Sequence, residues 1–287
     1  MGRLPDASRP LRSQDRDMST STDPTESFQI SIEAAEFYES AFVPAFFAQW
    51  APIACEAVGL ASDQTVLDVA CGTGILARTA AEQVGPHSRV VGLDLNEAML
   101  TVARRVRPDI EWHRGDAAAL PFADKSFDAV LCQMALMFFP DRAAALREMH
   151  RVVADGGRLA VVVPARLEVQ PAFAPFAAMA ARHAGRQALS LLNAYFVCGD
   201  LGELTGLVES TGLRTTTARA LLGRYRAPSV DAFVTTEVES TPLGGLIGAE
   251  VYERIRADAR DVLRPFTAAD GAVDAPFECN IVAACRR

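Results

Sequence analysis

The sequence predicts an α/β protein built on a doubly wound, mostly parallel sheet, and three observations carry that expectation. Apolar runs near 65–70, 89–94, 110–114, 127–133 and 157–163 alternate with helical patterns near 74–84, 96–107 and 140–153. Such alternation builds a parallel sheet covered on both faces, with ligands at the carboxyl ends of its strands. The first run leads through Asp68-Val69-Ala70-Cys71 into the turn Gly72-Thr73-Gly74 and an Ala-rich helix, and the second, Val90-Val91-Gly92-Leu93, closes on Asp94. Glycines let a backbone approach a ligand closely, the following helix N-terminus offers free N–H groups, and an acid closing the second strand suits a ribose diol. The turn therefore predicts a site for a nucleoside cofactor.

Each element follows in order. Residues 1–27, rich in Arg, Asp, Ser and Pro, read as a disordered leader, with Met18 a second possible start. In 28–60, Ser31 to Glu39 and Ala41 to Gly59 read as two helices carrying Phe37, Phe42, Phe46, Phe47 and Trp50, with Pro44 tolerated near the start of the second. The span 61–163 holds the five strands, and Asn96 is a natural N-cap for the second of its helices. Beyond Pro164 the texture becomes Ala-, Phe- and Met-rich. Glu168 to Ala184 and Gln187 to Tyr195 read as helices, then Asp200 to Ser210 as a helix and Leu213 to Ala220 as a strand. Ser229 to Ser240 and Ala249 to Leu263 add helices before a closing strand at Phe277 to Ala284.

At 287 residues, half of them hydrophobic, the chain can bury one large core or one domain with a lid. It has no apolar run of membrane-spanning length, so membrane insertion is not expected. A net charge of −8 with scattered basic residues argues against nucleic-acid and anionic-membrane partners and leaves small-molecule chemistry. Cys55, Cys71, Cys132, Cys198, Cys279 and Cys285 form no C-x-x-C pair and no metal spacing. They read as reduced, mostly buried residues of a cytoplasmic protein, with no metal site.

Which nucleoside is settled by charge. Gly72, Gly74 and Ala77 satisfy G-x-G-x-x-A, a spacing shared with NAD and FAD sites, but a carboxylate at Asp68 would repel a pyrophosphate. S-adenosylmethionine carries an ammonium and a sulfonium and no phosphate. The stretch Asp68 to Gly74 resembles the first motif of class I S-adenosylmethionine-dependent methyltransferases. Asp94, Gly115-Asp116-Ala117, the stretch Ala119 to Val130 and the stretch Arg147 to Leu159 resemble later motifs of that family, nearest to its ubiquinone/menaquinone-biosynthesis (type 11) group. The likeness covers about Asp63 to Val163 and is specific for fold and cofactor, not for acceptor.

That resemblance implies a Rossmann-like seven-stranded sheet with an antiparallel C-terminal hairpin and a helical lid, placed at 164–198 with further lid helices at 225–270. The segment 199–287 would complete the sheet, and 28–60 would cover the cofactor. Asp68, Ala70, Cys71, Gly72, Thr73 and Gly74 would hold the methionine portion, Asp94 with Leu95 the ribose, and Met99, Asp116 and Ala117 the adenine. Gln133 is a candidate contact at the methionine end. Tyr38 either closes over the cofactor or packs against Trp50 or Phe42.

Methyl transfer needs no protein nucleophile, and a base matters only for a neutral hydroxyl or ammonium acceptor. His183 and Tyr195, both in the lid span, are the catalytic candidates. Met134, Met137, Phe138 and Phe139 after Gln133, with Phe173, Phe176, Met179 and Phe196, would suit a fairly apolar acceptor methylated at O, N or C. The rivals are a protein of this fold that catalyses a rearrangement or cyclisation without methyl transfer, and a regulatory pseudoenzyme. Oligomeric state is not legible.

Overall fold

The computed structural model describes residues 30–239 and 243–287; the proposed leader and Met18 lie outside these. One seven-stranded sheet organises the chain: β1 (Val66–Val69), β2 (Val90–Asp94), β3 (Glu111–Arg114), β4 (Phe127–Gln133), β5 (Val153–Pro164), β6 (Arg214–Ala227) and β7 (Val273–Cys285). Their order is β3-β2-β1-β4-β5-β7-β6. The first five strands pair in parallel, and β7 lies antiparallel between β5 and β6. The order reverses at β1 and β4, where Val66 faces Ala129 and Asp68 faces Leu131. Open sheets of this kind bind ligands at that switch point.

Between the strands run α3 (Ile75–Val84), α4 (Glu97–Val106) and α5 (Arg142–Val152), within a residue or two of expectation. Asn96 caps α4 as predicted, accepting from the Ala98 and Met99 N–H groups. Alternate strand residues feed two apolar layers. Val66, Leu131, Val162 and Ile281 pack on one face, and Leu67, Val130, Val161 and Val282 on the other. Continuous apolar runs such as Val161-Val162-Val163 are what burial on both faces requires.

Three expectations need correction. The N-terminal pair of helices is instead α1 (Ile32–Phe37), a π-helical segment Tyr38–Phe47, and α2 (Ala51–Val58). Pro44 lies inside the π-helical segment, and the Ala48 N–H reaches back to the Val43 carbonyl. Pro lacks the N–H that an α-turn would use, which favours a widened turn there. The second and third corrections concern the last two strands, which are longer than their apolar pattern suggested. β6 runs to Ala227 and β7 starts at Val273, so the span 225–270 includes strand at its first residues. An edge strand with mixed burial carries little periodic signal.

Beyond β5 come α6 (Phe173–Ala184), α7 (Arg186–Leu192) and α8 (Leu201–Glu209). Between β6 and β7 lie α9 (Val230–Glu239), α10 (Leu243–Leu246) and α11 (Ala249–Leu263). Phe176 of α6 meets Phe233 of α9 at 5.2 Å, so the helices of the two insertions share one apolar layer. No single helix among the described residues is long and apolar enough to cross a membrane. Cys55, Cys71, Cys132 and Cys279 are buried and all six cysteines are free thiols.

Candidate cofactor site

The turn between β1 and α3 is held open by backbone in the left-handed region. Gly72 (φ +56°) and Gly74 (φ +89°) adopt it at little cost, whereas Ala70 (φ +56°) does so with a side chain. Met134 (φ +55°) repeats the arrangement at the end of β4. Thus the carboxyl ends of both strands at the switch point carry a strained non-glycine residue, a pattern that clusters at functional sites.

Asp94 binds the turn directly. Its Oδ2 accepts from the Gly72 N–H at 2.8 Å and its Oδ1 from the Asn96 N–H at 2.8 Å. Each carboxylate oxygen keeps a further lone pair for a diol. Desolvation raises its pKa, against the backbone donors, which favour the ion. Asp68 is 1% exposed, and its Oδ2 accepts from the Ala77 N–H in the first turn of α3 at 2.9 Å. Burial holds its pKa well above the usual carboxylate range. Asp68 therefore ties strand to helix beneath the turn, an interaction that the sequence argument, built on cofactor charge alone, did not foresee.

Three buried polar atoms around the turn have no hydrogen-bond partner: Thr73 Oγ1, Gln133 Oε1 and Glu39 Oε2. Buried polar groups left unpaired cost free energy. Two oxygens that can only accept and a hydroxyl, beside two carboxylates, suit a cationic amino-acid end and not a pyrophosphate. On this donor set the residues fit S-adenosylmethionine. Glu39 Oε1 also pairs with Arg78 (2.9 Å), which donates to the Thr73 carbonyl, so the N-terminal segment is tied to the turn.

Tyr38 lies over the turn. A Cβ on Gly72 would stand 3.7 Å from its ring, and the ring packs on Phe47 (4.9 Å) and Phe42 (6.1 Å) between centroids. Tyr38 thus packs on Phe42, one of the two packing partners expected, and its ring also lies against Gly72. Burial and the charges of Asp94 and Asp68 push its phenol pKa up. Cys71 is buried, and desolvation raises its thiol pKa. Leu95 and Met99 are half-buried beside Asp94. Asp116 is exposed and accepts from the Ala118 N–H at 2.8 Å, and Ala117 is buried. Gln133 Nε2 donates to the Phe47 carbonyl at 3.1 Å, joining β4 to the same wall.

One organiser escaped the sequence reading. A Cβ added at Gly74 would lie 2.2 Å from the Trp112 ring, and one at Gly92 would lie 2.3 Å from it. The indole lies across both glycines, and its Nε1 donates to the Arg107 carbonyl at 2.9 Å. Gly74 is thus demanded by an aromatic packed against it as well as by its dihedral angles. A tryptophan on a short, half-exposed strand opposite Gly92 was the available signal.

The two catalytic candidates part company. His183, at the end of α6, bonds to Asp258 of α11 at 2.8 Å. Tyr195 meets Phe138, beyond the end of β4, edge-on at 5.4 Å. Among the described residues no cluster of three or more His, Cys, Asp or Glu side chains could hold a metal.

Strand order, switch point and a glycine turn bracketed by two acids define the Rossmann-like methyltransferase fold, and residues 67–161 match the family model described as a methyltransferase domain. The chain is 42% identical over 116 residues to 2-phytyl-1,4-naphthoquinone methyltransferase of Thermosynechococcus vestitus, covering 39% of this chain and 52% of that protein. It is 43% identical over 128 residues to demethylmenaquinone methyltransferase of Renibacterium salmoninarum, covering 45% and 51% respectively. The chain spans about half the length of these curated relatives. Among solved structures, a SAM-dependent methyltransferase from Aquifex aeolicus superposes with a TM-score of 0.53 at 13% identity, covering 90% of this chain and 100% of that one. The [4+2]-cyclase SpnF does so with a TM-score of 0.54 at 17% identity, covering 83% and 80%. The latter two share the fold.

Proposed function

We propose that this chain is an S-adenosylmethionine-dependent methyltransferase acting on a small, apolar, ring-bearing acceptor. The observation that carries the reading is Asp94 at the carboxyl end of β2, whose two oxygens hold the turn at Gly72 and the start of α4 at Asn96. Bound S-adenosylmethionine supplies an electrophilic methyl group on a sulfonium. The chain's own residues then do three things. Asp94 accepts from the ribose hydroxyls, with Leu95 beside it, while Met99, Asp116 and Ala117 border the adenine. Glu39, Thr73 and Gln133 offer their unpaired oxygens to the ammonium end, beside the turn Ala70 to Gly74 that Asp68 braces. Tyr38 and Phe47 exclude water from the cleft, which strengthens those contacts and aligns the acceptor.

The relatives whose names specify naphthoquinone and demethylmenaquinone support a quinol-type acceptor, and the aromatic layer beyond β5 accords with it. We assign the pair of His183 with Asp258 to holding α6 on α11, and Tyr195 to the acceptor wall. A cytoplasmic location accords with a small-molecule enzyme of this kind. The rival reading, cyclisation or rearrangement in the same fold, is separated by turnover. Incubation with S-adenosylmethionine and reduced 1,4-naphthoquinones is expected to release S-adenosylhomocysteine together with a product one methyl heavier. Acceptor conversion without S-adenosylhomocysteine would establish the rival instead.

A further inference from the structure

Strand β7 carries Glu278 and Asn280 two residues apart, so both side chains stand on one face of the sheet. They line a cleft of about 220 Å³, walled by the segment after β5 at Arg166 and Val169 and by Gly199 and Asp200 before α8. Ala220 of β6, paired with Asn280, is small enough to leave the floor open. The two walls meet closely at their base. A Cβ on Gly199 would lie 2.3 Å from the Arg166 nitrogen, whose N–H donates to the Gly199 carbonyl at 3.1 Å. In the sheet β7 stands three places from β1, about 14 Å at ordinary strand spacing, so this cleft is separate from the cofactor turn.

The floor is made of acceptors. Asn280 is 2% exposed, and its Nδ2 donates to the Gly199 carbonyl at 2.8 Å. That bond fixes the amide and leaves its Oδ1, which takes no hydrogen bond from the described residues, to the cleft. Glu278 is half-buried, and the Gln170 side chain holds its backbone at both the N–H (2.9 Å) and the carbonyl (2.8 Å). No described residue engages its carboxylate. The other two charges cancel. Arg166 pairs with Asp200 at 3.3 Å, and Asp200 also accepts from the Glu203 N–H at 3.0 Å, which caps the helix end that would otherwise draw an anion. One carboxylate and one buried amide oxygen remain, and such groups cost free energy unless a donor meets them. Among the described residues no group of three or more His, Cys, Asp or Glu could hold a metal, which points to an organic cation.

We propose that this cleft binds the ammonium group of a small primary amine, its N–H donors shared between the Glu278 carboxylate and the Asn280 Oδ1 and its apolar stem lying along Val169 and Ala220. An ammonium has three donors and no acceptor, so it matches a floor built of acceptors. An alcohol of the same length brings one donor and no charge, and a carboxylate meets Glu278 as a like charge.

The test titrates n-butylammonium, n-butanol and butyrate separately into the isotope-labelled full chain, read by the NMR shifts of the Asn280 side-chain amide and the Gly199 and Gly202 N–H groups. A saturable shift is expected with n-butylammonium, and binding about tenfold or more weaker with the other two, the size of one hydrogen bond to a charged group. Glu278→Gln changes a side chain that bonds to nothing in the fold, and is expected to bring the amine to within about threefold of the alcohol. The ranking of the three probes on wild type tests the proposal without any variant. Saturating S-adenosylmethionine is expected to leave the amine titration unchanged. No saturable shift, equal binding of the three probes, tightest binding of butyrate or a preference surviving in folded Glu278→Gln would overturn the proposal. So would displacement of the amine by S-adenosylmethionine, which would place the amine at the cofactor turn.

Discussion

The two halves of this molecule are built on opposite rules. From β1 to β4 the site is made of backbone: left-handed residues, N–H groups and two acids that hold them, with side chains chosen to be small where a ring must fit. Beyond β5 the molecule is made of side chains: a packed layer of phenylalanines from α6, α9, β7 and the N-terminal segment, with Tyr225 and Glu237 buried in it, which the proposed reading places on the acceptor side. A backbone site tolerates few residue types at few positions, so it suits a cofactor that does not vary. A side-chain site can be recast by exchanging rings, so it suits an acceptor that does. The difference teaches where to look for each kind of specificity.

The largest expected effect breaks the first half. Gly74→Ala combines a left-handed alanine with a Cβ that meets the Trp112 ring and should destabilise the fold by about 3–5 kcal/mol. Gly92→Ala meets the same ring without the dihedral penalty and should cost about 1–3 kcal/mol. Urea unfolding of both variants separates the two causes. Equal losses would mean that dihedral strain at position 74 is unimportant.

The next effect sharpens the second half and is smaller. Glu237 has its pKa raised by burial to about 7 from an ordinary 4.5, so the folded state holds a proton that the unfolded state releases. That linkage makes folding stability fall as pH rises from about 4.5 to about 7 and level off above, by up to about 3 kcal/mol. Glu237→Gln removes this contribution, so the variant's stability should vary less over that window and exceed wild type at pH 8. Parallel pH profiles of the two proteins in denaturant melts would show that Glu237 ionises freely.

How much of this was legible before folding follows the same division. The first five strands, Asn96 as a cap and the turn at Gly72 to Gly74 were readable, because each is a local rule written in adjacent residues, whereas the antiparallel ending followed from the family resemblance alone. Asp94 was legible as the acid that closes β2, but its grip on the Gly72 N–H was not, since that bond joins β2 to the turn after β1. Trp112 over Gly74 and Gly92, Asp68 on Ala77, and His183 on Asp258 are likewise products of tertiary packing. Pro44 marked a disturbance whose π-helical form depends on the neighbouring turns. Glu237 was in plain view as a charge in an apolar stripe. What the sequence lacked was its partner, Tyr225, on a strand whose full length the pattern concealed.

The central claim is that the glycine turn binds S-adenosylmethionine through Asp94. Isothermal titration of S-adenosylmethionine into wild type and Asp94→Ala, with NAD as the control ligand, tests it most directly. Saturable binding to wild type, a loss of about 1.5–3 kcal/mol in the variant and no competing NAD isotherm are the predicted results. Because Asp94 also holds the Gly72 and Asn96 N–H groups, a lower melting temperature of the variant is expected beside that loss. Unchanged affinity in a folded Asp94→Ala protein, or an NAD isotherm that competes with S-adenosylmethionine, would contradict the assignment.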